Sequence, residues 1–354
     1  MRNQELLTLE RLERFLTTFP RLTIGLVGDL FLDRYLEIEP GVREISIETD
    51  LESYQITRVR NSPGALGTVM NNLTALGVGL LVPVTVIGDD GHGYDLLREV
   101  RRLPVDTAHI LCDPKRLTPT YTKPMKQDDA GVWRELNRLD FRTRGPLTDA
   151  MTQLICERLQ AVWDTSDGLI VLDQINERNW GVVNDTVRDF LRELARAQPK
   201  KLMFVDSRQQ LAQFDFGTLK GNRRELTDAL GLSDDSGQTG EREDAGLSAV
   251  RKMANRTKQT AYCTMGERGM AIGQPEKSPL VVPGYQVTGP VDIVGAGDSA
   301  TSGIVTGRLA GANDVEAAAL GNLVASITVQ QLGTTGTATP AQITSRWHEW
   351  KSQG

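Results

Sequence analysis

The sequence predicts an α/β fold with a doubly wound, mainly parallel sheet, helices on both faces and a small β-sheet lid. Short apolar segments bounded by turn residues alternate along the chain with longer segments of helical periodicity. Two stretches, 35–61 and 118–140, alternate polar and apolar side chains instead, as strands with one solvated face do. We therefore expect a single domain over residues 1–354, in which these two stretches form the lid.

The elements of the main layer follow from the same periodicities. Strands are expected at residues 22–27, 80–87, 168–172, 201–205, 259–264 and 270–272. Helices are expected at residues 67–76, 94–102, 149–162, 183–197, 224–230, 245–256, 299–309, 315–331 and 340–353. A further amphipathic helix near the start places Leu9, Leu12, Phe15 and Leu16 on one face, so we expect it to dock on the domain.

Composition excludes several classes of function. The 354 residues carry a net charge of -6 with acids and bases interleaved, which argues against a nucleic-acid partner. The three cysteines are far apart and the three histidines lack metal-ligand spacing, so a structural zinc site is not expected. No apolar run approaches the roughly 18 residues that a membrane span needs. A cytoplasmic protein without a membrane partner is the expectation.

The strongest chemical signal is a Gly-Ala-Gly turn, Gly295, Ala296 and Gly297, placed directly before a helix rich in small residues. Backbone N–H groups at such a turn are unobstructed and aligned with the helix dipole, so they can bind a phosphate oxyanion. Asp298 follows at once. It has two readings, a residue that only caps the helix, or a carboxylate that accepts the proton of an attacking hydroxyl beside the bound phosphate.

The segment Asp292-Ile-Val-Gly-Ala-Gly-Asp298 resembles the signature of the ribokinase-like (PfkB) carbohydrate kinases, which usually reads Asp-Thr-x-Gly-Ala-Gly-Asp. The resemblance implies a ribokinase-like fold and transfer of the γ-phosphoryl group of ATP to a hydroxyl of a sugar or sugar phosphate. It assigns Asp298 as the general base and the Gly295, Ala296 and Gly297 N–H groups as the anion hole. It also implies a monovalent-cation loop, a site for K⁺, at Asp292.

Three further segments resemble the nucleotide site of this family, which implies ATP and Mg²⁺ as cofactors. Asn222 and Glu225 match its Asn-x-x-Glu element, which helps to place Mg²⁺ through water, although the same pattern arises often at helix starts. The other expected nucleotide contacts are Thr264, Gly266, Gly269, Asn322 and Gly333. For the last two residues a packed helix with a glycine cap is the alternative.

The sugar end of the site is expected near two acids that follow the first strand. Asp29 is the first candidate and Asp33 the second, with a pair of solvated turn acids as the alternative. The stretch from Pro63 resembles the family's Gly-rich substrate loop, which adds Gly64 and Asn71. It departs from the pattern because Pro63 replaces a glycine and Gly67 stands where an asparagine would bind a sugar hydroxyl.

Basic residues at the same end are candidates for a phosphate on the substrate, or else are solvated surface; they are Lys123, Arg34 and Lys126. Within the family, residues 28–35, 118–123 and 332–335 look most like the D-glycero-D-manno-heptose-7-phosphate kinase branch. Its bifunctional members carry a nucleotidyltransferase domain. Since this chain ends soon after the family's final helix and lacks His-x-Gly-His, ADP-sugar formation is not expected.

Three questions stay open at the level of sequence. The altered substrate loop allows a protein that binds sugar or nucleotide without catalysis. The same phosphate chemistry would also serve a non-sugar alcohol such as a nucleoside. A lid built from strands with exposed edges suggests a homodimer formed through the lid.

Overall fold

The computed structural model describes residues 6–128, 130–232, 244–333 and 335–352, and its main layer is a nine-stranded sheet. In sheet order the strands are β16 (Leu280–Val282), β15 (Met270–Gly273), β14 (Ala261–Thr264), β13 (Thr218–Asn222), β12 (Leu202–Ser207), β11 (Gly168–Asp173), β1 (Thr23–Gly28), β6 (Leu80–Gly88) and β7 (Ile110–Asp113). The strands from β14 to β7 pair in parallel, and β15 and β16 add an antiparallel edge.

Helices cover both faces of this sheet, as the sequence predicts. They are α1 (Leu9–Thr18), α2 (Leu66–Ala75), α3 (Gly91–Val100), α4 (Asp149–Thr165), α5 (Asp185–Ala197), α6 (Arg223–Ala229), α7 (Ala245–Thr257), α8 (Ala296–Leu309), α9 (Asp314–Thr328) and α10 (Pro340–Ser352). One apolar cluster contains residues of the helices α1, α2, α3, α8, α9 and α10. A second cluster contains residues of α4, α5, α6 and α7. Leu12 and Phe15 of α1 are fully buried, so the predicted docking of this helix is confirmed.

A second, smaller sheet forms the lid. Its strands are β2 (Leu30–Ile38), β5 (Ile56–Ala65), β8 (Thr120–Gln127), β9 (Trp133–Glu135) and β10 (Leu139–Phe141), and β3 (Glu44–Ile45) pairs with β4 (Glu52–Ser53) beside it. The lid begins at residue 30, not at the predicted 35, because Leu30, Phe31 and Leu32 are all buried and hide the alternation. The pairs are antiparallel except β2 with β8.

Strand β13 is absent from the sequence prediction. Its five residues, Thr218 to Asn222, include a lysine and a glycine, so no apolar run marks them. The strand is nevertheless buried along most of its length, because the Lys220 ammonium is paired with the Asp206 carboxylate of the neighbouring strand β12. A buried ion pair thus replaces the apolar signal.

The topology places the lid over one edge of the main sheet. Strand β2 starts two residues after β1 ends, and Thr118, just before β8, accepts a hydrogen bond from the Gly88 N–H at the end of β6. The lid strands β2 and β8 therefore both begin beside the carboxyl end of a parallel strand. This is the edge at which such sheets bind ligands. We call the space between this edge and the lid the cleft. No helix among the described residues combines the length and apolarity of a membrane span.

Candidate active site

The start of helix α8 supplies unpaired backbone donors. Gly295 precedes the helix with φ 80°, a conformation that favours glycine, and no side chain caps this end. Among the described residues, the N–H groups of Gly295, Gly297 and Asp298 have no hydrogen-bond acceptor. The Ala296 N–H donates to the Ile293 carbonyl at 3.1 Å, so it differs from the prediction and is not a free donor. Three free N–H groups at a helix start suit an oxyanion.

Asp298 lies in the first turn of α8 and, within the described part of the chain, its carboxylate caps no backbone group. The capping alternative therefore does not describe this residue. Burial, and then the negative charge of Asp206, raise the pKa of Asp298 to about 7, while the Lys220 and Arg208 cations oppose this shift. A carboxyl group with a pKa near neutrality is suited to accept a proton at physiological pH.

Below Asp298 lies a buried polar cluster that the sequence interpretation missed. The Lys220 ammonium is 2.6 Å from Oδ2 of Asp206, and the Thr301 hydroxyl donates to the same oxygen at 3.0 Å. All three side chains are buried. The available signal was the charged residue at position 220, two residues before the Asn-x-x-Glu element, because a lysine inside a strand needs a partner.

Asn222 and Glu225 form a capping box at the start of α6. The Asn222 side chain accepts the Glu225 N–H at 2.9 Å, and the Glu225 carboxylate accepts the Asn222 N–H at 2.7 Å. Burial, and then the charge of Asp206, raise the pKa of Glu225. Asn222 and Glu225 therefore do cap a helix start, which was the alternative interpretation. Glu225 is nevertheless influenced by Asp206, as Asp298 is, so these three carboxylates form one acidic cluster. Its Oε1 takes no part in the capping box.

A cavity of about 390 Å³ opens beside this helix start. Its lining joins Asn222 to Thr264 at the end of β14, and it is completed by Arg223, Arg224, Met265 and Arg268. The loop after Thr264 turns sharply at Gly266 (φ 60°) and Gly269 (φ 91°). At Gly269 a Cβ atom would lie 2.3 Å from Val282 O, so the close approach of the next strand requires glycine. The structure thus brings Asn222 and Thr264 to one cavity with a basic lining.

Two predicted nucleotide residues have structural partners. The amide of Asn322, in α9, donates to the carbonyls of Val282 and Pro283, both at 3.1 Å. The Gly333 N–H donates to Oδ2 of Asp292 at 3.2 Å, so the carboxylate predicted for a cation loop ties the anion-hole segment to the turn at Gly333. Thr334, within that turn, lies outside the described residues.

At the sugar end, the two candidate acids have different surroundings. Asp29 is 3% exposed, and its carboxylate accepts the N–H groups of Val182 at 2.8 Å and Gln174 at 3.4 Å. Burial raises the pKa of Asp29. This carboxylate therefore holds both ends of the loop between β11 and α5, which leaves it little capacity for a ligand. The sequence ranking of Asp29 over Asp33 has no support in this geometry.

Asp33 is the acid on the lid beside the substrate loop. Its Oδ1 is 3.1 Å from the Lys123 ammonium, and a Cβ atom at Gly64 would lie 2.5 Å from its Oδ2. The structure therefore brings Asp33, Gly64 and Lys123 together. Asn71 is half-buried and donates to the Pro63 carbonyl at 3.4 Å.

The other two basic candidates are paired elsewhere. Arg34 forms an ion pair with Asp95 of α3, and the Lys126 ammonium is 2.9 Å from the Glu52 carboxylate. Since Arg34 and Lys123 occupy paired strands at positions of opposite parity, Arg34 points to the other face of the lid. Of the three cations predicted to receive a phosphate, only Lys123 lies beside Asp33.

The acidic cluster is compatible with Mg²⁺ held partly through water. Within the described ranges, no group of three His, Cys, Asp or Glu side chains could hold a metal ion directly. The Asp206 charge nevertheless raises the pKa of both Asp298 and Glu225, so the cluster carries repulsion that a cation would relieve. Carboxylate and amide oxygens are ligands that Mg²⁺ accepts, alongside water and phosphate. The residues present are therefore suited to Mg²⁺.

Comparison with solved structures defines the class of fold. Arabidopsis thaliana ribokinase complexed with ribose and ATP superposes with a TM-score of 0.62, at 16% identity, over 92% of this chain and 98% of that chain. Phosphofructokinase-2 from Escherichia coli in complex with potassium gives a TM-score of 0.67, at 17% identity, over 93% and 99%. The chain thus has a ribokinase-like fold with a β-sheet lid, as the sequence predicts.

Sequence comparison then tests the predicted family resemblance. Residues 183–342 match the model of the pfkB family carbohydrate kinases. The chain is 30% identical over 322 residues to the bifunctional protein HldE of Pelobacter propionicus, and 29% identical over 329 residues to that of Caulobacter sp. strain K31. These alignments cover 90% and 92% of this chain but only 61% and 62% of the relatives. The predicted resemblance to the pfkB family of carbohydrate kinases is therefore confirmed, and the family match itself spans residues 183–342.

Proposed function

We propose that the protein is an ATP-dependent kinase that transfers the γ-phosphoryl group to a hydroxyl of a sugar or sugar phosphate. The observation that carries this proposal is the position of Asp298, whose carboxylate lies in the first turn of a helix with free N–H groups at Gly295 and Gly297. A base and an oxyanion site occur together there, and phosphoryl transfer needs mainly these two elements in a fixed geometry.

In the proposed mechanism, Asp298 accepts the proton of the acceptor hydroxyl as that oxygen attacks the γ-phosphorus. The free N–H groups at the start of α8 donate to the phosphoryl oxygens, whose charge they stabilise without reorganisation. Glu225 and Asn222 would hold Mg²⁺ through water, and the bound ion would supply charge neutralisation on the nucleotide phosphates. The remaining work of this chain is to hold the two substrates in line.

ATP is proposed to occupy the cavity between Asn222 and Thr264, with its phosphates directed to Gly297. Arginine side chains in the lining favour a polyanionic ligand at this position. Gly266, Gly269, Asn322 and Gly333 remain proposed as contacts for the base end. K⁺ is proposed for the loop at Asp292, and the potassium complex of E. coli phosphofructokinase-2 supports this choice.

For the acceptor, we propose contacts to Asp33, Gly64 and Lys123, with Asn71 next to them and Asp29 in a supporting position. The paired Asp33 carboxylate and Lys123 ammonium offer an acceptor and donors to sugar hydroxyls, and the ammonium can also bind a phosphate. Similarity to the HldE proteins supports heptose 7-phosphates as the first class of acceptor to test.

A homodimer through the lid is part of the proposal. Strand β5 is an edge of the lid sheet and is ten residues long. Exposed apolar side chains are concentrated on it and in the segment before it, namely Val42, Ile45, Ile47, Leu51, Tyr54, Ile56 and Val59. A long apolar edge strand invites pairing with another chain, and a second copy satisfies this by two-fold symmetry.

The test is a coupled ADP-release assay over hexoses, heptoses, their phosphates and nucleosides, with Mg²⁺ and K⁺ present. ADP release stimulated at least about tenfold by a sugar or sugar phosphate supports the proposal. Stimulation by nucleosides alone would instead indicate a kinase of a non-sugar alcohol. No stimulation by any acceptor, with ATP binding intact, would indicate a binding protein, the alternative that the altered loop at Pro63 and Gly67 keeps open.

A further inference from the structure

Lys220 lies beside Gly297, in the proposed anion hole. It belongs to β13, is 4% exposed, and its Nζ contacts Oδ2 of Asp206 at 2.6 Å. The same Nζ lies 3.2 Å from the position that a Cβ atom would occupy at Gly297, and among the described residues it is the one atom within 4 Å from outside this part of α8. The absence of a side chain at Gly297 therefore leaves the ammonium directly beside the start of α8.

The ammonium has unused donors. Lys carries three N–H groups, and within the described part of the chain Asp206 is the one acceptor that Lys220 contacts. Because Lys220 is buried, its other two donors lie out of reach of bulk water, where an unpaired donor of a charged group is costly. The N–H groups of Gly297 and Asp298, at the helix start beside this ammonium, also have no acceptor among the described residues. Backbone and side-chain donors without an acceptor among the described residues thus lie close together, and an anion would satisfy both sets.

A purely structural ion pair is the competing explanation. It accounts for the contact with Asp206 but not for the position of the ammonium against Gly297. Thr301, from α8 itself, donates to Asp206 at 3.0 Å and so ties the ion pair to the same helix as Gly297. Asp206 is thereby fixed from two sides. Burial alone would lower the pKa of Lys220, but the charge and hydrogen bond of Asp206 raise it overall, so the ammonium stays protonated.

We propose that Lys220 is a catalytic residue whose ammonium binds the phosphoryl group during its transfer, and that Asp206 and Thr301 position it. This inference rests on the proposed kinase function. The chemistry is charge stabilisation: oxygens of the phosphoryl group gain negative charge as the bond to ADP breaks and the bond to the acceptor oxygen forms. No proton leaves Lys220, because Asp298 takes the acceptor's proton. The ammonium acts as a fixed cation in a site shielded from water.

The first arm of the test compares Lys220→Met and Lys220→Arg with Lys252→Met, an exposed lysine of α7, as the matched control. We expect K220M to lower kcat about 100-fold or more, while the acceptor KM changes less than about threefold. K220R should recover part of kcat, because the charge is restored. D206N should lower kcat while the acceptor KM changes less than about threefold, because Lys220 loses the carboxylate that positions its ammonium.

The second arm needs no turnover. Calorimetric titration with Mg²⁺ present should show that K220M lowers the affinity for ATP about tenfold but leaves that for ADP nearly unchanged, since the missing cation lies at the γ-phosphoryl position. Equal changes for ATP and ADP, or full kcat in K220M, would overturn the role of Lys220 while leaving the kinase proposal intact. A wild-type protein that is inactive with every acceptor would overturn the kinase proposal, and the titration would still decide whether Lys220 binds the γ-phosphate.

Discussion

Pro63 and Gly67 are in direct contact across the start of helix α2. A Cβ atom on residue 67 would lie 2.3 Å from the Cβ of Pro63, which is closer than any real contact. The two departures of this chain from the usual Gly-rich loop are therefore one coupled feature, because the proline excludes any side chain four residues later. An asparagine at position 67 requires a smaller residue at position 63.

The coupling predicts a non-additive pair of substitutions. Gly67→Asn alone should lower the free energy of unfolding by about 1–3 kcal/mol through steric conflict, although replacing a helical glycine normally stabilises. In P63G/G67N the contact with Pro63 disappears and the tip of Leu30, 3.2 Å away, needs to shift only slightly, so the double-mutant coupling energy should exceed about 1 kcal/mol. Urea unfolding of the four proteins measures this. Additive effects would show that the loop relaxes freely and that the two positions are independent.

Asp298→Asn should abolish catalysis without loss of the fold. General-base catalysis contributes roughly 10²–10⁴-fold, so kcat should fall by about that factor while ATP affinity stays within about threefold. The folded protein keeps the Asp298 proton up to about pH 7, whereas the unfolded chain releases it near 3.8. Ionisation of Asp298 therefore lowers the free energy of unfolding as the pH rises from about 3.8 to about 7. Replacing the carboxylate by a neutral amide should not destabilise the protein. Single-turnover kinetics and thermal unfolding at pH 8 test both statements.

The same carboxyl group predicts the pH dependence of activity. Because the pKa of Asp298 is raised to about 7, only about a tenth of the unliganded enzyme holds the charged base at pH 6, and about nine tenths hold it at pH 8. We expect kcat/KM to rise roughly tenfold between these two values at constant ionic strength. A profile already flat at pH 6 would mean that the titrating base is not Asp298.

The geometry of the proposed phosphoryl-transfer end follows from local sequence patterns more than the geometry of its surroundings does. Gly295, Gly297 and Asp298 are adjacent in sequence, so their geometry follows from one helix start. Lys220 and Asp206 meet only because β12 and β13 are neighbours, and no local pattern records that pairing. The ranking of Asp29 and Asp33 depended on the loop around Val182, which is more than 100 residues away in the chain. Long-range partners of polar residues were what the sequence alone could not supply.

The two acids that follow β1 should have different roles, Asp29 in stability and Asp33 in binding of the acceptor. Asp29→Asn keeps one acceptor oxygen but places an amide donor against either the Val182 or the Gln174 N–H, so the free energy of unfolding should fall by about 1–3 kcal/mol. Asp33→Asn should be nearly neutral for stability but raise the acceptor KM about tenfold or more. Denaturant unfolding of both variants measures the change in stability, and acceptor saturation curves measure the change in KM. The reverse pattern would return Asp29 to the role of sugar ligand.

The exposed apolar surface of the lid predicts the site of dimerisation. Ile47 is 98% exposed and Val59, on the edge strand β5, is 53% exposed, which is unfavourable unless another chain covers them. A charge buried at a symmetric interface meets its own copy, so I47E and V59K should shift the protein from dimer to monomer in sedimentation velocity experiments.

Val281→Glu is the matched control for this prediction, since Val281 is 46% exposed on β16, the edge strand of the main sheet. It should leave the dimer unchanged. Dissociation by V281E but not by I47E would locate the interface on the main sheet, and a wild-type monomer at every concentration would remove the dimer altogether. Because β5 carries Gly64 and pairs with β2 at Asp33, monomeric lid variants should also show a raised acceptor KM with little change in ATP affinity.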